Sequence, residues 1–386
     1  MSDHALQPVR RAWADIDLAA LQHNFSVACR ISPESRALAV VKANAYGHGL
    51  RPVAAALEAV MREGDAFAVA SLQEGIMLRG LQLARPILVM QGVQNADELE
   101  LARRHGLWLV VHSPHQVSLM SEHSLTTDCW HLWLKLETGM NRLGLEPDVL
   151  ADAWQALGAL PGVGHCVLMS HLACSDDPGS DSTRRQLDRL DALIAATLGM
   201  DETTEVSVAA SGGILVWPDA RRQWLRPGIM LYGGSPVLGE TGPDRDLRPV
   251  MTLRARLVSV KTVQAGESVG YGATYTAGTT HRMGIASIGY GDGYPRHAPT
   301  GTPVVVLVNG RPQRTRLIGR VSMDMVNLDL EGIDAGVGDE VILWGEHLPA
   351  DEIARHCDTI SYELFCQVTS RVDFRYHGFD DGTRGN

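Results

Sequence analysis

The chain contains 386 residues, of which 45% are hydrophobic and 20% are charged. This composition is that of an ordinary globular protein, so it excludes disordered, collagen-like and coiled-coil proteins, and the length suffices for two domains. The 45 acidic residues exceed the 34 Lys and Arg residues, which gives a formal net charge of −11. Because phosphate groups bind basic protein surfaces, this charge argues against a nucleic-acid-binding or membrane-binding protein.

Targeting signals and cysteine clusters are not evident in the sequence. Residues 1–24 carry charges throughout and lack the apolar run of a secretory signal, and no segment reaches the ~18 consecutive apolar residues of a membrane-spanning helix. The six cysteines are dispersed without a C-x-x-C pair, so neither a metal cluster nor a disulfide scaffold is expected. We expect a cytoplasmic protein without a metal site.

Between about residues 37 and 233, short apolar runs alternate with longer segments of helical periodicity. The eight runs are ALAVVKANA from Ala37, DAFAVAS from Asp65, PILVMQG from Pro86, LWLVVHS from Leu107, CWHLWLKLET from Cys129, CVLMSHLA from Cys166, EVSVAAS from Glu205 and WLRPGIMLYGG from Trp224. Helix-like segments such as LRPVAAALEAVM and STRRQLDRLDALIAATLG lie between them. Eight such repeats predict an α/β fold with an N-terminal TIM-like (β/α)8 barrel, which we assign to residues 1–246.

After Gly233 the pattern changes to apolar runs that are separated by turns rather than by long helices. The runs include VMTLRARLVSVKTV, TPVVVLVNG and DEVILWG, and Gly, Pro and Asn residues punctuate them. This pattern predicts a C-terminal, mainly β domain over residues 247–386.

Polar residues follow five of the predicted barrel strands at their carboxyl ends, where the active site of such a barrel lies. These residues are Lys42 through Tyr46 and His48, then Glu137 and Arg142, then His171, then Ser211, and finally Arg226 through Ile229. Each one alone has an ordinary structural explanation, such as a solvated lysine, a buried histidine or a turn. Together they place five sets of reactive groups at one mouth.

Two features of this set indicate a particular cofactor. Lys42 follows the apolar run ALAVV, so burial disfavours its ammonium form, as a Schiff-base lysine requires. Ser211 and the segment 226–229 place a hydroxyl and backbone N–H groups at strand-to-helix junctions, which commonly bind phosphate. A lysine that binds an aldehyde, beside a phosphate site, implies pyridoxal phosphate.

Eight motifs along the chain resemble those of bacterial alanine racemases. They are VVKANAYGHG, LKLETGMNRLG, SHLACSDD and LRPGIMLYG in the predicted barrel, followed by VGYGATY, IGYGDGYPR, GRVSMDM and TISYELFC in the predicted β domain. The resemblance extends from about Trp13 to Arg371. Motifs of both predicted domains carry it, which makes it specific.

The resemblance implies a role for each matching residue. Lys42 would bind pyridoxal 5′-phosphate and act as the base on one face of alanine, and Tyr271 would act as the base on the other face. The phosphate would be held by Tyr46, Ser211, Gly228, Ile229 and Tyr362, with Arg226 at the pyridine nitrogen and His171 beside the ring. Substrate contacts would come from Arg142, Met323, Asp324, Tyr290 and Tyr275. The lysine that matches Lys135 is carbamylated in many members of the family, and the alternative for Lys135 is an ordinary lysine paired with Glu137.

The same resemblance implies a head-to-tail homodimer in which Tyr271, Met323 and Asp324 of one subunit contribute to the active site of the other.

Racemisation needs two acid–base groups on opposite faces of the α-carbon, because a proton is removed from one face and another is returned to the opposite face. Tyrosine has an ordinary pKa near ~10, so a tyrosine base needs cationic neighbours. An arginine at the pyridine nitrogen does not easily release its proton, and we therefore expect few transamination side reactions.

Three other functions are alternatives to alanine racemisation. Single-domain barrels that bind pyridoxal phosphate lack a β domain, and VGYGATY and GRVSMDM argue against that class. Decarboxylases of the same barrel class usually place a catalytic cysteine and an acidic pair in the partner domain, and neither is evident here. A serine or broad-specificity racemase is the closest alternative. The sequence leaves open whether D-alanine supplies peptidoglycan or the reaction serves alanine catabolism.

Overall fold

The computed structural model describes residues 11–123, 130–198 and 204–379, which form two compact units. The barrel unit comprises residues 21–240 and 244–247. The β unit comprises the described residues up to Ala20, residues 241–243 and the described residues from Arg248 onward.

The first strand, β1 (Ala12–Asp17), belongs to the β unit. It pairs antiparallel with Met251–Val263 and parallel with Asp373–His377. The range predicted from the sequence, 1–246, counts this strand with the barrel. The difference arises because the alternation in AWADID indicates a strand but not the sheet that the strand joins.

The barrel unit alternates parallel strands with helices. Its helices and strands, in chain order, are α1 (Leu18–Ile31), β2 (Arg36–Val40), α2 (Lys42–Tyr46), α3 (Leu50–Glu58), β3 (Ala66–Val69), α4 (Leu72–Arg79), β4 (Ile87–Val89), α5 (Ala96–Arg104), β5 (Trp108–Val111), α6 (Pro114–His123), β6 (Trp130–Lys135), α7 (Pro147–Gly158), β7 (Val163–Met169), α8 (Asp181–Leu198), β8 (Glu205–Ser207), α9 (Ser211–Val216) and β9 (Trp224–Leu225).

The eight strands of this unit form one sheet in the order β8, β7, β6, β5, β4, β3, β2 and β9, with parallel neighbours. The two outer strands meet, because the Arg226 N–H donates to Ala209 O at 2.9 Å and Ala210 pairs with Arg226 in a parallel bridge. The sheet therefore closes into a barrel.

All eight apolar runs expected to form barrel strands do so. Strands β3 and β4 are buried at every residue, since the barrel interior covers one face of each strand and the helices cover the other. This burial on both faces explains why the runs are continuously apolar rather than alternating. Cys129, where the fifth run was expected to begin, lies outside the described residues.

The amino-terminal end of the barrel is filled by a group that we call the basal cluster, which consists of Arg36, His165, Glu205 and Trp224. The Glu205 carboxylate accepts hydrogen bonds from Arg36, from His165 Nε2 at 2.9 Å and from Trp224 Nε1 at 2.8 Å. Burial raises the pKa of Glu205, but these three donors outweigh burial and lower it. The charges at this end are therefore paired across strands β2, β7, β8 and β9.

The β unit is built from short strands with two helices. Its remaining elements are β10 (Met251–Val263), β11 (Ser268–Val269), β12 (Tyr275–Thr276), β13 (His281–Ala286), β14 (Pro303–Val308), β15 (Arg311–Arg316), β16 (Val326–Asp329), β17 (Glu340–Trp344), α10 (Ala350–His356), α11 (Ser361–Gln367) and β18 (Asp373–His377).

The main sheet of this unit runs in the order β15, β14, β17, β10, β1 and β18, and β13 and β16 extend from β10. Strands β11 and β12 form a separate hairpin. These observations confirm a mainly β architecture for the C-terminal part. Among the described residues, no helix has the length and apolar character needed to cross a membrane.

Candidate active site

Nine of the predicted site residues lie in the barrel unit, at the carboxyl ends of its strands or in the segments that follow them. They are Lys42, Tyr46, Lys135, Arg142, His171, Ser211, Arg226, Gly228 and Ile229. Five strands contribute them (β2, β6, β7, β8 and β9), as the alternating pattern in the sequence predicts. The remaining six residues lie in the β unit.

Lys42 stands at the start of a left-handed turn. The backbone φ angles from Ala43 to Tyr46 lie between 51° and 56°, and Gly47 follows at 78°. Each non-glycine residue in this conformation costs roughly 1–2 kcal/mol, so surrounding contacts must hold the turn. Strained backbone of this kind is concentrated at functional sites.

Contacts from other elements hold the left-handed turn in place. Glu74 completes a capping box with Ser71 at the start of α4, and its Oε1 also accepts a hydrogen bond from the Ala43 N–H at 2.7 Å. The Tyr46 ring stacks on the Tyr232 ring with centroids 4.8 Å apart. The Lys42 ammonium lies 6.0 Å from the centroid of the Tyr46 ring, so the two predicted cofactor residues share one surface.

Ser211, Gly228 and Tyr46 form a hydroxyl-lined cradle. Ser211 Oγ accepts hydrogen bonds from the N–H of Gly228 at 2.9 Å and of Met230 at 3.3 Å. A Cβ atom added to Gly228 would lie 2.8 Å from Tyr46 Oη and 3.8 Å from Ser211 Oγ. Glycine is therefore required between the two hydroxyls, because any side chain would fill the space.

The guanidinium of Arg226 is 2% exposed and bonded on several sides. Nη1 donates to Ser207 Oγ at 2.6 Å, and Nη2 donates to the carbonyls of Ser170 at 2.7 Å and Val208 at 3.1 Å. Burial lowers the pKa of Arg226 to about 9, so the group stays charged at pH 7.

His171 completes the surroundings of Arg226. Its Nδ1 lies 3.2 Å from Arg226 Nη2. Because arginine only donates, Nδ1 must accept this bond, and the single proton of the neutral ring is then on Nε2. Burial, followed by the charges of Arg226 and Lys135, lowers the pKa of His171 well below its usual value. His171 is therefore neutral at physiological pH.

The cationic cluster, defined as Lys42, Lys135, Arg142 and Arg226, concentrates positive charge at this mouth. Lys135 is 7% exposed. Burial is the largest cause that lowers its pKa to about 8, and the charges of Arg226, Arg142 and Lys42 act in the same direction. A neutral amine is therefore available at Lys135 near physiological pH.

The carboxylate of Glu137 lies beside the cationic cluster and accepts hydrogen bonds from backbone N–H groups. Burial raises its pKa, and hydrogen bonds from the N–H groups of Asn141, Gly139, Met140 and Arg142 more than offset this effect. The carboxylate thus shapes the loop that carries Arg142. Its charge raises the pKa of Lys135 against the effect of the cationic neighbours, so it offsets part of the positive charge of the cluster. The four cationic groups of the cluster still exceed this carboxylate in charge.

Lysine is rare in this chain, and most of its lysines lie at the mouth of the barrel. The chain has three lysines, at positions 42, 135 and 261, among 34 basic residues. Two of the three lie in the cationic cluster.

Tyr271 lies in the β unit, on the turn that joins β11 and β12. Its side chain is 71% exposed. Gly270 and Gly272 flank it with φ angles of 75° and 72°, and a Cβ on Gly272 would lie 3.0 Å from an Arg320 nitrogen. The hairpin therefore presents the phenol at the surface of its unit.

Tyr275 lies on the same hairpin but packs differently from Tyr271. Its half-buried ring contacts the small core of Val263, Val269, Ala277, Met283 and Ile318, and its hydroxyl lies 3.4 Å from His281 Nε2. Burial raises its pKa. These contacts anchor the hairpin, and the predicted substrate contact of Tyr275 stays a prediction.

Tyr290, Met323 and Asp324 lie close together on two turns of the β unit. The Tyr290 N–H donates to Ser322 O at 3.1 Å, and the Gly291 N–H donates to Met323 O at 2.9 Å. Arg371 joins the turns, because its guanidinium contacts Asp324 at 2.6 Å and Asp292, which follows Gly291, at 3.2 Å. Sequence reasoning missed Arg371, which follows the last matching motif.

Tyr362 is half-buried near the start of α11 in the β unit.

The sequence analysis also missed three residues that form hydrogen bonds to the predicted site residues of the barrel, namely Ser170, Ser207 and Gln186. A signal existed for Gln186, since it shares a helical stripe with the buried residues Thr183, Leu187 and Leu190. A polar residue in such a stripe is a candidate for a specific buried bond.

Comparison with known proteins follows the same division of the chain. A family model for the N-terminal domain of alanine racemase matches residues 16–236, and one for the C-terminal domain matches residues 250–376. An alanine racemase from Azoarcus sp. (strain BH72) is 46% identical over 371 residues, covering 96% of this chain and 100% of that protein.

Solved structures agree with the family models. A biosynthetic alanine racemase from Pseudomonas aeruginosa superposes with a TM-score of 0.88 at 44% identity, covering 96% of this chain and 100% of that chain. An alanine racemase from Bartonella henselae with covalently bound pyridoxal phosphate gives 0.81 at 27% identity, covering 95% and 99%. The chain therefore belongs to the alanine racemase family of amino-acid isomerases.

Proposed function

We propose that this chain interconverts L- and D-alanine with two acid–base groups, Lys42 and Tyr271, which act on opposite faces of the α-carbon. The observation that carries the proposal is the cationic cluster around Lys42. Burial is the largest cause that lowers the pKa of Lys135 and of His171, and charges of the cluster act in the same direction on both groups. The cationic groups are therefore close enough to act on one ligand. A phosphorylated cofactor together with a substrate carboxylate would offset these charges.

Pyridoxal 5′-phosphate fits the residues present. Lys42 would bind its aldehyde, and Tyr46, Ser211, Gly228, Ile229 and Tyr362 would hold its phosphate. The fit rests on the cradle, because Gly228 leaves open a space beside the hydroxyls of Tyr46 and Ser211 that a side chain would fill. When bound, this cofactor supplies an electron-withdrawing ring that acidifies the α-proton of the amino acid.

Arg226 and His171 would lie beside the pyridine ring. Arg226 keeps its proton at neutral pH, since burial leaves its pKa at about 9, and it would therefore donate a hydrogen bond to the ring nitrogen without protonating it. His171 is neutral, with its proton on Nε2. We expect this arrangement to limit transamination side reactions.

Proton transfer requires one group on each face of the substrate. One group would remove the α-proton while the other returns a proton to the opposite face, and the roles exchange in the reverse direction. Lys42 lies at the mouth of the barrel unit. Tyr271 belongs to the β unit, where its exposed hairpin makes the phenol accessible to another molecule.

We infer that a head-to-tail homodimer completes the site. The β unit exposes Tyr271 at 71%, Met323 at 51%, Met325 at 45% and Tyr290 at 37%. Large apolar side chains exposed together are typical of a protein interface. In the dimer, these residues and Asp324 of one subunit would line the substrate site of the other.

Lys135 would carry a carbamate. Its neutral amine would attack CO2, so that an N–C bond forms and one proton leaves to solvent. The resulting anion would be held among Arg226, Arg142 and Lys42. Arg142, on the loop shaped by Glu137, would then contact the substrate carboxylate with its position fixed by the carbamate.

Two cellular roles use this reaction. We expect the enzyme to act in the cytoplasm, where D-alanine supplies peptidoglycan synthesis and L-alanine is available for catabolism. Both roles use the same chemistry.

The proposal is tested by following the circular dichroism of L-alanine and, separately, of D-alanine with the purified protein and added pyridoxal phosphate. We expect both signals to decay to zero. Parallel reactions with L-serine test the broad-specificity alternative and should be much slower. Retention of both alanine signals by protein that has bound the cofactor would refute the proposed substrate.

The shared site is tested separately by mixing variants. Lys42→Ala and Tyr271→Phe protomers, after subunit exchange, should recover activity that neither variant has alone, because a mixed dimer contains one complete site. Well-exchanged mixtures without any recovery would contradict the shared site.

A further inference from the structure

Gln186 is a buried amide that holds two segments of the candidate active site. It lies on α8 and is 2% exposed. Its Nε2 donates to His171 O at 3.0 Å and to Thr138 Oγ1 at 3.2 Å, while its Oε1 accepts from the Ala173 N–H at 2.8 Å. Both ends of the amide are used, so a flipped amide would place its NH2 group against the Ala173 N–H and its oxygen against the His171 carbonyl oxygen.

The hydrogen bond from Gln186 to Thr138 begins a chain of hydrogen bonds in which each group donates to the next. Thr138 Oγ1 lies 2.7 Å from Ser170 Oγ, and Ser170 Oγ donates to Leu136 O at 3.1 Å. Since the Ser170 proton is used at Leu136, Thr138 must donate to Ser170 and accept from Gln186. The chain therefore ties the segment after β6 to the segment after β7.

These segments carry the groups around the pyridine ring site. His171 is held at its backbone carbonyl by Gln186 and at its ring by Arg226, which also bonds the carbonyl of Ser170. Thr138 lies between Lys135 and Arg142 in the sequence. One side chain on a helix outside the barrel strands thus constrains both loops.

We propose that Gln186 is a positioning residue that sets His171 and, through it, Arg226 relative to the cofactor. This inference rests on the proposed function. Without the amide, the carbonyl of His171 and the N–H of Ala173 lose their buried partner, and the loop must shift to satisfy them. Such a shift would move the His171 ring away from the Arg226 guanidinium and weaken the hydrogen bond that the ring accepts from it.

The barrel contains a matched control for this residue. Gln116, on α6, is also 2% exposed, and its amide also makes three bonds to strand-end loops. Its Nε2 donates to the carbonyls of Gln91 and Val93, each at 3.1 Å, and its Oε1 accepts from the His112 N–H at 2.8 Å. None of these three partners is a predicted site residue.

The test compares Gln186→Met with Gln116→Met in the cofactor-loaded protein. Both changes keep the side-chain volume and remove three hydrogen bonds, so we expect similar decreases in the unfolding midpoint. Only Gln186→Met should lower kcat for alanine, by about 10- to 100-fold because small displacements of catalytic groups are costly, with little change in KM. Only Gln186→Met should also change the visible circular dichroism of the bound pyridoxal phosphate.

Equal kcat and equal cofactor dichroism for the two variants would overturn the proposal. The dichroism distinguishes this failure from failure of the proposed function. If the wild-type protein binds pyridoxal phosphate but does not racemise alanine, the proposed function fails, and the dichroism still reports whether Gln186 positions the ring site.

A second pair, Gln186→Glu and Gln116→Glu, covers the case in which the Met variant does not fold. A protonated glutamic acid can donate one hydrogen bond to His171 O, whereas its carboxylate cannot. The ratio of kcat for Gln186→Glu to wild type should therefore decrease as pH rises, and the ratio for Gln116→Glu should stay constant. The same flat ratio for both variants would contradict the proposal.

Discussion

The two ends of the barrel carry charged groups in opposite arrangements. In the basal cluster, the Glu205 carboxylate accepts hydrogen bonds from Arg36, His165 and Trp224, and its pKa is lowered. In the cationic cluster at the other end, burial and, after it, the charges of Arg226, Arg142 and Lys42 lower the pKa of Lys135 to about 8. One end pairs its charged groups with one another, while the other holds more positive groups than the carboxylate of Glu137 can offset.

This difference separates stability from function in one unit. A half-buried carboxylate with three donors, such as Glu205, stabilises the fold above its pKa, whereas a group of like charges disfavours the compact state. Retention of such repulsion at the carboxyl ends of the strands indicates that a ligand supplies the opposite charge. Titratable groups with shifted pKa values at the mouth of a barrel are candidates for catalytic or ligand-binding residues.

The largest expected effect is at Lys42. Lys42→Ala should reduce racemisation by at least about 1,000-fold, because it removes both a base and the attachment point of the cofactor. Borohydride reduction of the loaded wild-type protein, followed by peptide mass mapping, should place the cofactor on Lys42. With only three lysines in the chain, the map is unambiguous.

The control for this experiment is Lys261→Ala, which changes an exposed lysine of the β unit. It should keep both the label and the activity. Label on Lys135 or Lys261 in the wild-type protein would contradict the assignment of Lys42.

The basal cluster should give the converse result. Glu205→Gln should lower the free energy of unfolding by about 1–3 kcal/mol, because an amide keeps the shape but loses the charge that three donors require. It should leave kcat unchanged. Urea unfolding monitored by tryptophan fluorescence measures the first quantity, and Asp191→Asn, which alters an exposed pair with Arg222, provides the surface control.

The same pair of proteins has a defined pH dependence. The pKa of Glu205 is lower in the folded chain than its ordinary value of 4.5, so its stabilising effect is present above pH 4.5 and is lost as the pH falls through the folded pKa. The difference in unfolding free energy between wild type and Glu205→Gln should therefore shrink below pH 4.5. A difference that is constant from pH 7 to pH 3 would contradict the role of this charge.

A smaller effect is expected from CO2. Because the pKa of Lys135 is lowered to about 8, its neutral fraction and hence its carbamate should increase as pH rises through that value at a fixed CO2 pressure. Carbon-13 NMR with labelled CO2 should show the carbamate in wild type and in Lys261→Met but not in Lys135→Met. Removal of CO2 should lower activity by about 2- to 10-fold, since Arg142 loses part of its support.

Much of the barrel could be predicted because parallel strands are buried on both faces and appear as continuous apolar runs. Their ends then locate the site, as for Lys42 and His171. The left-handed turn at residues 43–46 could not be predicted, because local propensity favours a right-handed helix for these residues. Contacts from Glu74 and Tyr232, which are distant in sequence, stabilise it.

Other features escaped prediction for the same reason. The basal cluster joins residues from four strands, and β1 joins a sheet whose other strands lie more than 200 residues later. Gln186 occupies a position in a buried helical stripe, but the sequence alone does not show what its amide would bond. Polar groups that are distant in sequence but paired in the fold leave no periodic pattern in the sequence, so these pairs could not be predicted.

The central claim is that two groups act on opposite faces of the substrate, and isotope exchange tests it most directly. Tyr271→Phe, loaded with pyridoxal phosphate, is incubated with α-deuterated L-alanine and, separately, α-deuterated D-alanine, and loss of deuterium to solvent is followed by proton NMR. The account predicts that exchange is lost for one enantiomer and retained for the other, because Lys42 still serves its own face. Equal loss for both enantiomers, or no loss for either, would contradict the two-base assignment.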